Sequence, residues 1–190
     1  SKLGRGKYKL YFKNHTLDFN LQYILGYESS GGAAVGEIVQ TISNIKEKDF
    51  ETWVNAFTAT AIRVENYAKE LLAKGHKVSA RESFLRAATY HRAASFCTFE
   101  NDKRNTERVL SLKKCFFEAS QLFEPALEQV FIPYEGKSLP GYFIKPNNDN
   151  LPKPTLIMIG GGELFHEELY FWTGDAGKKR NWNVLIIDLP

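Results

Sequence analysis

The sequence predicts an α/β protein in which a helical unit precedes the first strands of a parallel sheet. Three observations carry that prediction. Pro154-Thr-Leu-Ile-Met-Ile-Gly-Gly-Gly-Glu163 reads as a buried strand running into glycines, an amphipathic helical stretch follows, and Asn183-Val-Leu-Ile-Ile-Asp-Leu-Pro190 reads as a second buried strand. Two or three strands do not cover both faces of such a sheet, so the reading expects these residues to be about half of a larger protein.

The chain has 190 residues, 43% of them hydrophobic and 14% aromatic, enough apolar material for a packed core. A net charge of +3 is too slight to imply a nucleic-acid partner. The short basic run Lys178-Lys179-Arg180 reads as a solvated helix end. No apolar stretch reaches the length of a membrane span and no signal-peptide pattern opens the chain, so a cytoplasmic location without a membrane partner is expected. Cys97 and Cys115 lie in helical segments without a partner motif and read as reduced, packed thiols. Asn14-His15-Thr16 matches a glycosylation acceptor by chance.

Taken in order, residues 1–34 mix aromatics (Tyr8, Tyr11, Phe12, Phe19, Tyr23, Tyr27) with polar residues and close in Ser29-Ser30-Gly31-Gly32, which reads as an irregular segment. Residues 35–127 read as a helical domain. A short helix is expected from Val35 to Lys46. Then Phe50, Trp53, Val54, Phe57, Ala61, Val64, Ala68, Leu71 and Leu72 form one apolar stripe, with Asp49 as its cap and Gly75 as its stop. Ser79-Ala-Arg-Glu82 reads as a capping box opening the next helix, and a third helix is expected from about Thr106 until Pro125 ends it.

The apolar period changes from 3.6 to 2 near Glu128, so residues 128–190 read as the start of the α/β domain. Val130 to Tyr134 and Leu139 to Ile144, joined through Glu135-Gly136-Lys137, predict a hairpin whose prolines confine it to an edge or to strand ends. A polar, proline-punctuated loop spans Lys145 to Pro154. Alanine-bearing helices keep a helical-repeat array as an alternative.

This order of elements, with Ala80-Arg-Glu-Ser-Phe-Leu-Arg-Ala-Ala-Thr-Tyr-His-Arg92, Ile132-Pro-Tyr-Glu-Gly-Lys-Ser-Leu-Pro-Gly141, Gly160-Gly-Gly-Glu163 and Ile187-Asp-Leu-Pro190, resembles the N-terminal half of an α/β-hydrolase with a helical cap domain. More narrowly, it resembles the cap-bearing serine hydrolases related to acylaminoacyl- and prolyl-peptidases and to pseudooxynicotine hydrolases. The resemblance implies acyl transfer to water from a small ester, amide or acylated peptide, with no cofactor and no metal. It also implies that the backbone N–H of Gly161 or Gly162 serves an oxyanion hole. Glycines there suit the task, because a developing alkoxide needs preorganised donors and bare backbone lets substrate approach.

Glu163 reads as a carboxylate at the start of the following helix, favoured by its dipole, and the resemblance allows it a substrate-orienting role. Trp53 and Tyr90 would help shape a substrate pocket in a cap, although each reads individually as core packing. His166, beside Glu167 and Glu168, reads as a partly exposed helix histidine, and His91 as packed or solvated. No G-x-S-x-G occurs in the 190 residues, so the serine, acid and histidine of a triad are expected outside them. Two further readings stand beside this one. A non-catalytic helical interaction module is the first. A nucleotide-binding domain is the second, with Gly160-x-Gly162 and Asp188 but with Phe165 where a third glycine belongs. Dimerisation through the helical unit is compatible with the sequence, and no residue compels it.

Overall fold

The computed structural model describes residues 8–98, 101–149 and 151–190. Residues 1–7 of the expected irregular segment and Asn150 of the expected loop lie outside them. By its internal contacts the chain forms two units, Ser1–Cys115 and Phe116–Pro190.

The first unit is helical. Helix α1 (His15–Leu25) occupies part of the stretch expected to be irregular. Its cap is Asn14, whose side chain accepts from the N–H groups of Thr16 and Leu17. Leu17, Leu21 and Ile24 share its buried face, a stripe that the surrounding aromatics disguise in the sequence. Asp18 is buried on the same helix and accepts from the backbone N–H groups of Leu10, Tyr11 and Phe12, fixing the chain that precedes it. Helix α2 (Val35–Ile42) is shorter than the expected span.

Helix α3 (Phe50–Ala73) buries Trp53, Val54, Phe57, Ala61, Val64 and Ala68 of its apolar stripe, whereas Phe50 at its first turn is exposed. Asp49 accepts from Glu51 N at 3.1 Å, and Gly75, at φ 80°, reverses the chain while donating to Leu72 O at 2.9 Å. That left-handed turn lets helix α4 (Lys77–Ser95) begin at once. Ser79 is therefore an exposed residue inside the helix and not the cap of a capping box, which corrects the sequence reading. Ala80, Ala87, Ala88, Ala93 and Ala94 are all buried, and α4 packs along α3 through these small side chains. Helix α5 (Lys103–Ser120) also starts earlier than expected, because Asp102 accepts from Arg104 N at 2.9 Å.

The second unit holds a four-stranded sheet of order β1-β2-β4-β3. Strands β1 (Glu128–Tyr134) and β2 (Lys137–Ile144) form the expected antiparallel hairpin. Its turn places Glu135 at φ 43° and Gly136 at φ 76°, the paired left-handed geometry that matches strand twist. Pro133 lies on edge strand β1, and Pro140 just precedes the residues of β2 that pair with β4, so neither interrupts a central ladder.

Strands β3 (Thr155–Ile159) and β4 (Asn183–Ile187) are parallel and in the expected places. Between them run α6 (His166–Leu169), a π turn (Tyr170–Gly174) and α7 (Asp175–Lys179). The basic run ends α7: Lys179 pairs with Asp175, and Arg180 donates to Ala176 O. Strand β3 is the outermost of the four strands described. Its Ile157 and Ile159 are exposed among these residues, whereas Val184 and Ile186 of β4 are fully buried. The crossover packs closely on the sheet, since a Cβ at Gly177 would lie 2.3 Å from Val184 Cγ2.

Candidate functional site

At the C-terminal end of β3 the chain enters Gly160-Gly161-Gly162, at the crevice end where open α/β sheets bind ligands. Gly160 is partly buried, and a Cβ there would meet Leu164 at 3.1 Å. Gly161 and Gly162 are exposed, with nothing within 4 Å of a Cβ built on either. Leu164 N donates to Gly161 O at 3.1 Å, closing a turn that presents backbone unscreened by side chains. Glu163 lies in this turn and is exposed. Because α6 begins only at His166, Glu163 is outside its first turn, which corrects the helix-start placement read from the sequence.

His166 is 2% exposed, not the partly exposed helix residue expected. Its backbone N–H donates to Asp188 Oδ1 at 2.7 Å, and its ring Nδ1 lies 2.8 Å from Asp188 Oδ2. Its Nε2 lies 3.2 Å from Glu167 Oε1, and the Tyr142 ring packs against it at 5.6 Å between centroids. The neighbouring Glu168 accepts from Phe165 N at 3.1 Å, tying the residue before α6 to the helix. Both ends of the segment that contains the glycine turn are thus fixed: β3 pairs with β4 on one side, and His166 is bound to the residue after β4 on the other. A preorganised backbone donor needs that kind of support.

Trp53 and Tyr90 sit in the core of the helical unit, each 0% exposed. Trp53 Nε1 donates to Ala93 O at 2.8 Å, and its ring lies 4.5 Å from that of Phe57. Tyr90 OH donates to Glu37 Oε2 at 2.7 Å and accepts from Ala34 N at 3.0 Å; burial and then the Glu37 charge push its phenol far above the ordinary value. Neither side chain presents surface to a ligand in this structure.

The same unit brings together a cluster the sequence does not reveal. Glu65, His91 and Cys115 come from three helices, and their ligand-type atoms all lie within 4.8 Å of one another. No helix among the described residues is long and apolar enough to cross a membrane.

Comparison with known proteins agrees with this architecture. An alpha/beta hydrolase, xenA, of Xenoacremonium sinensis is 36% identical over 177 residues, covering 91% of this chain and 42% of that protein. The alpha/beta hydrolase psoB of Aspergillus fumigatus is 34% identical over 188 residues, covering 94% of this chain and 42% of that one. The crystal structure of the 2,6-dihydroxy-pseudo-oxynicotine hydrolase superposes with a TM-score of 0.74 at 25% identity, over 87% of this chain and 45% of that chain. The chain therefore spans less than half the length of these relatives. A family model described as esterase FrsA-like matches residues 38–190. Helices α3 to α5 and the sheet of order β1-β2-β4-β3 fall within that match, and the chain belongs to the FrsA-like esterase family.

Proposed function

We propose that this chain supplies the helical unit and the oxyanion-hole turn of a serine hydrolase, which transfers the acyl group of a small ester, amide or acylated peptide to water. The observation that carries the proposal is the exposed Gly161-Gly162 backbone at the end of β3, held by the His166–Asp188 pair. In this reading the backbone N–H of Gly161 or Gly162 stabilises the oxyanion of the tetrahedral intermediate. Glu163, beside it in the turn, orients the substrate. The nucleophile, its histidine and its acid belong to the remainder of the whole protein. His166 and His91 are poor candidates for the base: both ring nitrogens of His166 face carboxylates, and buried His91 is engaged by Glu65.

A dinucleotide-binding reading fits the geometry less well. It needs the acid after β4 to receive a ribose hydroxyl, and both Asp188 oxygens already engage His166. The catalytic reading is tested with the gene product that carries this chain, by hydrolysis of p-nitrophenyl acetate and of an acylated peptide p-nitroanilide. Removing one oxyanion donor typically costs a hundredfold or more in rate, so Gly161→Pro or Gly162→Pro is expected to cost about that much in kcat at the position that donates. Unchanged rates in both variants would remove the glycine turn from the mechanism.

A further inference from the structure

Glu65 on α3, His91 on α4 and Cys115 on α5 converge inside the helical unit, with their ligand-type atoms all within 4.8 Å of one another. Glu65 carries about one-seventh of its side-chain surface exposed, and His91 and Cys115 are buried. A carboxylate, an imidazole and a thiol form the donor set that borderline-soft divalent ions prefer. We propose that these three residues bind a divalent transition-metal ion of the zinc type.

Glu65 is the common hydrogen-bond partner of His91 and of the Cys115 thiol, and one ring nitrogen of His91 is left over. His91 Nε2 lies 3.0 Å from Glu65 Oε2, while His91 Nδ1 is buried and has no hydrogen-bond partner. A neutral imidazole has one donor and one acceptor nitrogen, so with Nε2 engaged the other is an orphan in either tautomer. A buried polar atom left without a partner is unfavourable.

Charge balance favours a divalent ion. On binding, the S–H bond breaks, the proton leaves to solvent and the sulfur lone pair forms the metal bond. Thiolate and Glu65 carboxylate then neutralise a divalent ion within the unit. Lys69, now paired with Glu65, is half exposed and free to swing into water. Tetrahedral ligand atoms at ordinary zinc distances stand about 3.6 Å apart, so a contraction of about 1 Å closes the site. A water molecule or the second Glu65 oxygen completes four-coordination, and the ion ties α3, α4 and α5 together.

The test is titration of the chelator-treated gene product with Co²⁺. The expected result is a near-ultraviolet thiolate-to-cobalt charge-transfer band and visible bands of tetrahedral intensity, saturating at one equivalent and abolished by added Zn²⁺. Zn²⁺ is also expected to raise the thermal midpoint. Cys115→Ser is expected to lose the charge-transfer band and to weaken binding at least tenfold, whereas Cys97→Ser retains both. Absence of a saturable band in the wild-type protein would overturn the proposal without reference to any variant. So would a band that survives in Cys115→Ser.

Discussion

The carboxylate of Asp188 holds His166 at two points, the backbone N–H at 2.7 Å and the ring Nδ1 at 2.8 Å. This joins the residue after β4 to the first residue of α6, just beyond the glycine turn. In Asp188→Ala both groups lose their acceptor inside a residue that is 2% exposed, and a loss of about 2–4 kcal/mol is expected. Asp188→Asn keeps one carbonyl acceptor and is expected to lose less. Urea unfolding midpoints of the two variants check the order.

Asp18 provides a pH-dependent contribution. Burial would raise its carboxyl pKa, but bonds from Tyr11 N, Leu10 N, Gln22 and Phe12 N outweigh that and hold it below the ordinary value. The folded chain therefore binds this proton less readily than the unfolded chain. The stabilisation is complete above the ordinary carboxylate range and is lost as pH falls through the lowered folded value. Asp18→Asn is expected to cost about 2–3 kcal/mol at neutral pH and to flatten the acid limb of a stability-against-pH curve.

Gly177 and Val184 are expected to behave as a coupled pair. The Cβ of Gly177→Ala would lie 2.3 Å from Val184 Cγ2, on a strand residue that is 0% exposed and cannot withdraw. Overpacking of this kind costs about 1–3 kcal/mol. Adding Val184→Ala removes the clash, so the double variant is expected to lose less stability than the two single losses together. A double-mutant cycle in chemical denaturation measures the difference. Gly141→Ala meets the backbone oxygen of Ile186 at 2.3 Å, and no side-chain substitution is expected to rescue it.

Gly161 and Gly162 present the opposite case. Nothing lies within 4 Å of a Cβ at either, and neither has a left-handed φ, so alanine at each is expected to leave stability within about 0.5 kcal/mol or slightly raised. If these glycines carry the oxyanion hole, the added methyl narrows the approach to the N–H groups and ester hydrolysis falls at least tenfold. Unfolding curves and kcat measured on the same preparations separate the two effects.

What the sequence made legible was whatever depends on one element at a time. The α3 stripe, the Asp49 cap, the Gly75 stop and the Glu135-Gly136 turn each follow from spacing or from one residue's backbone freedom, and the structure has them all. Helix α1 was hidden because Phe19 and Tyr23 interleave with its buried Leu17, Leu21 and Ile24 and blur the period. The glycine turn of the candidate site was visible, but its His166–Asp188 support was not. Those residues are 22 apart, and they meet only because β3 and β4 pair in parallel with a particular register. Glu65, His91 and Cys115 were hidden for a similar reason: their meeting depends on the rotation of three helices about their axes, which no local pattern encodes.

Intact-mass analysis of the natural gene product with a fluorophosphonate probe tests the proposal that this chain is part of a serine hydrolase. The expected result is a single covalent probe adduct on a product of about twice the 21.7 kDa mass of these 190 residues, abolished by prior heat denaturation. A folded gene product that takes up no adduct at any probe concentration would contradict it.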